Sequence, residues 1–365
     1  MSTLKVLGIM SGTSLDGIDF VKIKIHKKNL KCEYIGMESF TFPLSLKNKL
    51  LKAAQNELKV ADLAFVNHEL GRFYAECYKQ LPGPLKKVDL IGLHGQTVFH
   101  AGRVATMQIG EPSYLAFAAK TKVVSNFRSA DLAVGGEGAP LAPFFHQVVF
   151  GKKGKTISLH NLGGISNLSL VQNGLLKIGF DTGPANMLID EEVRSSTQSK
   201  LTFDKEGRLA AQGKVNSAIL IEMLKHEYFA QKPPKSCGRE QFGKVFYERF
   251  ENELRQLNLQ DRLATLTELT VQSIVKAYGQ YCKPIPQEII FCGGGSKNKY
   301  LINRIDQELE SIKISTVEDY GWPTQSIEGA AFALLAACCL WKIPANVTRA
   351  TSAKKNVVLG QITEL

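Results

Sequence analysis

Most of the signatures that assign a chain to a class at first sight are missing here. No Walker A lysine loop occurs in the 365 residues, and no stretch matches the GxGxxG pattern of dinucleotide folds. The nearest approach, Gly293-Gly294-Gly295, has Asn298 at the place of the last glycine. Seven cysteines, an odd number, form no CxxC pair, which argues against zinc or redox motifs and reads as reduced structural thiols. No low-complexity run is present; with 44% hydrophobic and 22% charged residues, that excludes a disordered chain. Long hydrophobic runs are missing too. The most apolar stretch, Gly329 to Leu340, is too short to span a bilayer and has the alanine-rich composition of a core helix. The start of the chain has no basic segment followed by a long apolar one, so no signal peptide and no membrane partner are expected, and a cytoplasmic location is.

The net charge of +11 raises the question of nucleic acid. The basic clusters are small, however: Lys27-Lys28, Lys152-Lys153 with Lys155, and Lys354-Lys355. No aromatic residues interleave with them as a single-strand platform requires. No nucleic-acid partner is expected, and a basic surface that attracts anionic substrates accounts for the charge.

What is present is a repeated plan. An apolar strand, Val6 to Met10, breaks into SGTSLDG (11–17) and resumes at Ile18 to Ile23. About 150 residues later, one domain length, Thr156 to His160 breaks into NLGGISN (161–167) and resumes at Leu168 to Val171. Each turn leaves small residues whose backbone N–H groups can form a nest for phosphate. The first turn adds hydroxyls and a carboxylate, Asp16; the second has no carboxylate. The same residue types also suit ordinary hairpins. Third strands at Cys32–Phe40 and Leu175–Phe180 complete two β-meanders, each followed by helix–strand alternation. The predicted fold class is therefore α/β. It has two related lobes of the actin-like, ribonuclease H-like ATPase type, each a mixed five-stranded sheet flanked by helices, with the active-site cleft between them. The Gly/Ala/Pro-rich stretch 130–143 reads as the passage between lobes. The expected boundaries are 1–130 plus 342–365 for the N-terminal lobe and 131–341 for the C-terminal lobe.

Chemistry-bearing residues cluster at the strand ends. Gly12, Thr13, Ser14, Asp16 and Gly17 form the candidate phosphate loop. An aspartate in the same turn suits Mg²⁺ held through water, since Mg²⁺ takes oxygen ligands and keeps several waters. Asn161, Gly163 and Gly164, with Gly293, Gly294, Gly295 and Asn298 after the buried strand Glu288–Cys292, are candidates for further nucleotide contacts. Asp181 follows an apolar strand that Thr182-Gly183-Pro184 is expected to end. A carboxylate there suits a general base or a capping residue. His94 and His100 lack metal-ligand spacing; His94 reads as a substrate-orienting or a structural histidine. Glu328, opening the alanine-rich helix, suits either a substrate ligand or a charge complementing the helix dipole.

In order, GIMSGTSLDGID (8–19), HGQTVFH (94–100), MQIGEP (107–112), GEGAPLAP (136–143), NLGGISN (161–167), GFDTGPANMLID (179–190) and FCGGGSKN (291–298) make the chain resemble the anhydro-N-acetylmuramic acid kinases. The resemblance runs over nearly the whole chain, and GTSLDG together with FDTGP is its specific part. It implies an ATP-dependent kinase of peptidoglycan recycling. Water opens the 1,6-anhydro bridge, O6 is phosphorylated, and N-acetylmuramic acid 6-phosphate and ADP result. It implies Asp181 as the catalytic base, residues 12–19 as the ATP loop, Asp16 and Asp19 on the Mg²⁺ side through water, and His94, Gln96, Gln108 and Glu328 in the sugar pocket. It also implies a homodimer. The chain departs from the family pattern at Phe99, Asn126, Glu137 and Ala185. A kinase of another anhydro sugar such as levoglucosan, or a non-catalytic ATPase switch, shares the fold.

Overall fold

The computed structural model describes residues 2–12, 15 and 17–365; Thr13, Ser14 and Asp16 of the expected phosphate loop lie outside the described residues. The first strands are β1 (Thr3–Met10), β2 (Ile18–His26), β3 (Cys32–Phe40), β4 (Leu90–Leu93), β5 (Gln96–Ala101), β6 (Ala105–Ile109) and β7 (Val123–Ser125). Then come β8 (Thr156–Leu162), β9 (Ile165–Gln172), β10 (Leu175–Pro184), β11 (Glu288–Cys292), β12 (Lys313–Thr316) and β13 (Gln361–Thr363).

The chain divides into two compact units, Met1–Val149 with Gln325–Leu365, and Phe150–Thr324. In the first, the sheet order is β13-β7-β4-β1-β2-β3. The pairs β1–β2 and β2–β3 are antiparallel, whereas β1–β4 and β4–β7 are parallel. Hydrophobic patterning matches position: β4 is wholly buried and β1 mostly so, whereas β3 at the edge has no buried residue. The sheet has six strands rather than the expected five, because β13 adds to β7 as an antiparallel edge. Two helices, Leu44–Ala54 and Val60–Gln80, follow the meander, and their Leu46, Leu50, Val66, Leu70 and Tyr74 pack into one core with the sheet.

The helix Ser326–Trp341 packs on β1, β2 and β4. Its composition explains how closely it sits. A Cβ on Gly8 would lie 1.8 Å from the Gly329 carbonyl oxygen, and one on Gly92 would lie 2.4 Å from that of Phe332. Backbone meets backbone there, so the sheet offers glycine and the helix offers glycine and alanine. This helix belongs to the first unit, not to the C-terminal lobe as its place in the sequence suggested. Residues 131–149 also fall in the first unit, so the stretch 130–143 is not where the chain passes from one unit to the other.

In the second unit the order is β10-β9-β8-β11-β12, with β8, β11 and β12 mutually parallel and β8–β9–β10 an antiparallel meander. This repeats the order of β3-β2-β1-β4-β7, the arrangement of the actin-like ATPase fold. Strand β10 does not stop at Phe180 as expected but continues to Pro184. The ladder slips between Asp181 and Gly183, a bulge. Proline is tolerated because β10 is the edge strand. A core of Leu162, Leu168, Ile274, Ile289, Phe291 and Leu301 lies against this sheet, and a second cluster around Val193, Phe242, Leu263 and Leu266 forms a helical layer.

Candidate active site

Because β1 and β4 are parallel, the loops after Met10 and Leu93 leave the same end of the first sheet, where α/β folds place their ligands. The His94 N–H donates to the Ile9 carbonyl at 3.0 Å, the Gln96 amide donates to the Gly12 carbonyl at 3.4 Å, and the Ser11 hydroxyl donates to the Gly95 carbonyl at 3.3 Å. Gly12, His94 and Gln96 are thereby brought together. Leu15 lies buried in a left-handed conformation at φ 55°, its N–H on the Gly12 carbonyl at 3.2 Å. A Cβ on Gly17 would meet the Phe40 carbonyl oxygen at 2.5 Å, so the turn requires glycine there. Ile18 is fully buried and paired with Phe40 in the sheet.

Asp19 pairs with Met10 on one side and Ser39 on the other. The Ser39 hydroxyl donates to its carboxylate at 2.5 Å. Burial raises the pKa of Asp19 against the pull of that hydrogen bond. Glu328, on the first turn of its helix, reaches solvent. The protein mass around it and the like charge of Asp19 nevertheless raise its pKa, opposed by Arg128. Asp19, Arg128 and Glu328 are thus one electrostatic group.

His94 is 4% exposed and stacks on Phe332 with ring centroids 4.4 Å apart. Two nitrogens of Arg128 approach its Nε2 at 2.9 and 3.2 Å, while a third donates to the Gly138 carbonyl at 2.9 Å. A guanidinium only donates, so Nε2 accepts and the proton sits on Nδ1. Burial, with the Arg128 charge second, pushes the imidazole down to about 3. Nδ1 faces the Gly95 backbone without a hydrogen bond of ordinary geometry, and Gln96 Oε1 likewise has no partner among the described residues. Buried polar atoms left open in one loop are where ligand groups complete the hydrogen bonding.

Gln108 lies opposite Thr97 in the β5–β6 hairpin and donates to the hydroxyls of Thr97 and Thr106 at 3.3 and 2.8 Å. His94 and Gln108, with Leu63, Asn67, Glu111 and Asn126, line a cavity of about 490 Å³ in the first unit. This lies within the usual range for small-molecule sites, about 300–1,000 Å³. Neither Gln96 nor Glu328 lines that cavity.

The second unit assembles its own group where parallel β8 and β11 end, with Asn161 opposite Cys292. Gly293 has φ 82°, and a Cβ on it would lie 2.4 Å from Asn161 Oδ1; one on Gly295 would lie 2.7 Å from Leu162 Cβ. Asn161, Gly163, Gly293 and Gly295 therefore lie together, with Gly294 facing open space, while the neighbour of Gly164 is Met187. Not every expected donor is available. The Gly163 N–H is engaged by the Ile165 carbonyl at 3.2 Å. Asn298 is the N-cap of the helix Lys299–Glu308, its Oδ1 accepting from the Leu301 N–H at 3.0 Å.

Asp181 sits on β10 just before the bulge. Its N–H donates to the Lys235 carbonyl at 3.1 Å, its carbonyl accepts from the Tyr228 hydroxyl at 2.7 Å, and its Oδ2 accepts from the Cys237 N–H at 2.9 Å. Segment 228–237 thus covers the open edge of β10 and holds the carboxylate. Burial raises the Asp181 pKa to about 6, with Glu240 adding to the rise and the Cys237 bond opposing it. A carboxylate poised there can take a proton near neutrality.

A family model described as anhydro-N-acetylmuramic acid kinase matches residues 4–364. The chain belongs to the anhydro-N-acetylmuramic acid kinase family. It is 37% identical to the curated member of that name from Caldanaerobacter subterraneus subsp. tengcongensis, over 98% of this chain and 96% of the relative. To the member from Bacillus cereus strain G9842 it is 40% identical, with 98% of each chain covered. To that from Trichormus variabilis it is 37% identical, over 98% of this chain and 96% of the relative.

The departures from the pattern of the anhydro-N-acetylmuramic acid kinases each have a local account. Ala185 is buried and is the N-cap of the helix Asn186–Ser196, its N–H on the Gly164 carbonyl at 2.9 Å. Asn126, at φ 52°, accepts from the Ser129 hydroxyl at 2.5 Å and lines the cavity. Glu137 pairs with Arg103 at 2.5 Å, and Phe99 lies exposed on β5. Among the described residues no group of three His, Cys, Asp or Glu side chains forms a metal cage. Asp19 alone suits Mg²⁺ held by one carboxylate, waters and phosphate oxygens. Sequence reasoning missed Arg128 and the segment 228–237. A lone arginine carries no spacing, and the segment acts on Asp181 mainly through its backbone.

Proposed function

We propose that this chain is itself an ATP-dependent kinase of 1,6-anhydro-N-acetylmuramic acid, acting in cell-wall recycling. The observation that supports this reading best is Asp181. It is a half-buried carboxylate raised to about 6, fixed by the Cys237 N–H, in a chain whose whole length matches the family.

In this reading Asp181 takes a proton from water as the oxygen attacks the anomeric carbon. The C1–O6 bond breaks and O6 attacks the γ-phosphorus, giving N-acetylmuramic acid 6-phosphate and ADP. The residues from Gly12 to Asp19, with Asn161, Gly163, Gly164 and Gly293 to Gly295, serve the nucleotide. Asn298 supports them as a helix cap. His94, Gln96 and Gln108, with Glu328 and Arg128 as a charge pair, serve the sugar. Mg²⁺ neutralises phosphate charge when bound, and Asp19, with Asp16, is the side chain that would hold it through water. Positioning and charge neutralisation carry most of phosphoryl transfer, which suits a site without a P-loop lysine.

We further infer a cytoplasmic homodimer, on the family resemblance. No helix among the described residues is long and apolar enough to cross a membrane.

Incubation with ATP–Mg²⁺ and each anhydro sugar tests the reading. Sugar-dependent ADP release and a 6-phosphate product are expected with anhydro-N-acetylmuramic acid. Turnover with levoglucosan alone would replace the substrate. Nucleotide binding without sugar-dependent turnover would replace the kinase with a switch.

A further inference from the structure

A chain of five polar side chains runs through the core of the second unit, and one end of it stands beside Asp181. The Thr182 hydroxyl donates to the Ser166 hydroxyl at 2.6 Å. Ser166 Oγ lies 2.7 Å from His160 Nε2, and His160 Nδ1 lies 2.9 Å from the Tyr278 hydroxyl. Tyr278 in turn donates to Ser158 Oγ at 2.7 Å. Ser158, His160 and Ser166 are 0% exposed, and Thr182 and Tyr278 are 1% exposed.

The chain has a single polarity. Tyr278 has one hydroxyl proton, directed at Ser158, so His160 Nδ1–H must donate to its oxygen. Nε2 is then the acceptor for Ser166, whose oxygen is left to accept from Thr182. The Tyr278 end sets the imidazole tautomer, and the Thr182 end is compatible with it. Burial keeps that imidazole neutral, its pKa pushed down to about 3. Every member is satisfied, the condition under which a buried polar network specifies one geometry.

The geometry it specifies is the bulge. Asp181 is paired with Asn167 and Gly183 with Ser166, so Thr182 is the inserted residue. Its hydroxyl also reaches the Ser166 carbonyl at 3.3 Å, fixing the insertion to β9 by two contacts. Bulges re-aim side chains beside active sites. Here the outer edge of β10 is held by segment 228–237 and the inner edge by Thr182, with Asp181 between them. A Cβ on Gly183 would meet Phe229 at 2.8 Å, so the bulge has little room to relax on its far side.

We propose that Thr182 is a positioning residue for Asp181, anchored through Ser166, His160, Tyr278 and Ser158. The proposal rests on Asp181 acting as the base. The hydroxyl of Thr182 does no chemistry; it keeps the carboxylate aimed so that its proton transfer begins from the productive geometry.

The test measures kcat and KM for ATP and sugar in Thr182→Val, Thr182→Ser, Tyr278→Phe and Asp181→Asn. Thr182→Val keeps shape and removes the hydroxyl. Its kcat is expected to fall at least 10-fold with both KM values within 2-fold of the parent. Thr182→Ser, which keeps the hydroxyl, is expected to restore kcat to within 3-fold. Tyr278→Phe leaves His160 Nδ1–H without its acceptor at the far end, and is expected to lower kcat at least 3-fold with unchanged KM. If Thr182→Val does not fold, Tyr278→Phe decides the proposal by that measure. A parental kcat in Thr182→Val, or equal losses in Thr182→Val and Thr182→Ser, overturns it. Asp181→Asn separates the two readings. If it abolishes turnover while Thr182→Val does not affect it, the base stands and the positioning role falls. If Asp181→Asn retains turnover, the base reading itself falls, and the positioning role with it.

Discussion

Arg128 donates to Nε2 of His94 from 2.9 Å and thereby fixes the imidazole as a neutral, Nδ1-protonated ring in the wall of the first-unit cavity. The same guanidinium is the countercharge of Glu328. Arg128→Met removes both functions. It leaves a buried imidazole nitrogen unpaired, at about 1–3 kcal/mol, and strands a carboxylate whose pKa is already raised. Sugar KM is expected to rise at least 10-fold with ATP KM nearly unchanged, read from steady-state kinetics with each substrate varied. Arg128→Lys keeps the charge but not the fork, and should recover only part of the loss. An unchanged sugar KM in Arg128→Met would remove this pair from the sugar site.

Asp181 predicts opposite effects on activity and on stability. The base form predominates above its raised pKa of about 6, so kcat/KM is expected to fall as the pH drops through 6. For stability the sign reverses. The folded chain keeps the Asp181 proton between about 6 and the ordinary value of 3.8, where the unfolded chain has released it. Stability from this group is therefore present at low pH and lost as the pH rises through 6. Asp181→Asn, neutral at every pH, escapes that loss. At pH 7.5 its Tm should equal or exceed the parent by a few degrees, at about 2–4 °C per kcal/mol for a domain of this size. Below pH 4 the difference should vanish. Thermal melts at the two pH values check the sign, and product assays confirm that the stabilised variant is inactive.

The elements that proved legible in the sequence have strong local signals. Both meanders are marked by apolar runs broken at SGTSLDG and NLGGISN, and both appear with the expected pairing. The continuation of β10 through Pro184 was hidden because Thr-Gly-Pro ordinarily ends a strand, and only the ladder of β9 shows that an edge strand absorbs it as a bulge. The placement of Ser326–Trp341 was hidden for a different reason. A helix buried on nearly all sides has no polar face to indicate which sheet it meets. The grouping of Arg128, His94 and Glu328 depends on three segments remote in sequence, and no spacing rule connects them. Strand β13 is three residues long, too short for any period to show.

Asp19 is the described carboxylate of the first loop, and Ser39 holds one of its oxygens. If Asp19 steadies Mg²⁺ through water, Asp19→Asn should raise the Mg²⁺ concentration for half-maximal turnover by about 10-fold, about 1.4 kcal/mol of weakened hydrogen bonding to the ion's waters. Sugar KM should stay within 2-fold. Ser39→Ala frees the carboxylate without removing its charge, and should change the Mg²⁺ requirement far less. Titrating Mg²⁺ at saturating ATP distinguishes the two variants. Equal Mg²⁺ dependence in parent and Asp19→Asn would leave Asp19 a purely structural partner of Ser39.

Gly8 and Gly329 meet where β1 crosses the helix that carries Glu328, a carboxylate that feels the charge of Asp19. A Cβ on Gly8 would lie 1.8 Å from the Gly329 carbonyl oxygen and 2.8 Å from the Ala333 nitrogen, both backbone atoms of a buried helix. A Cβ on Gly329 would instead meet the Val21 side chain at 2.5 Å, and a side chain yields more easily than a helix backbone. Overpacking a core ordinarily costs about 1–3 kcal/mol. Gly8→Ala should reach or exceed the top of that range, and Gly329→Ala should fall within it. The order Gly8→Ala below Gly329→Ala below parent is expected in denaturant midpoints. In Gly8→Ala protein that still folds, the helix must retreat from the sheet and take Glu328 with it, so sugar KM should rise more than ATP KM. Equal stability of the two variants would show that the helix shifts freely on β1, and that Glu328 is not placed by this contact.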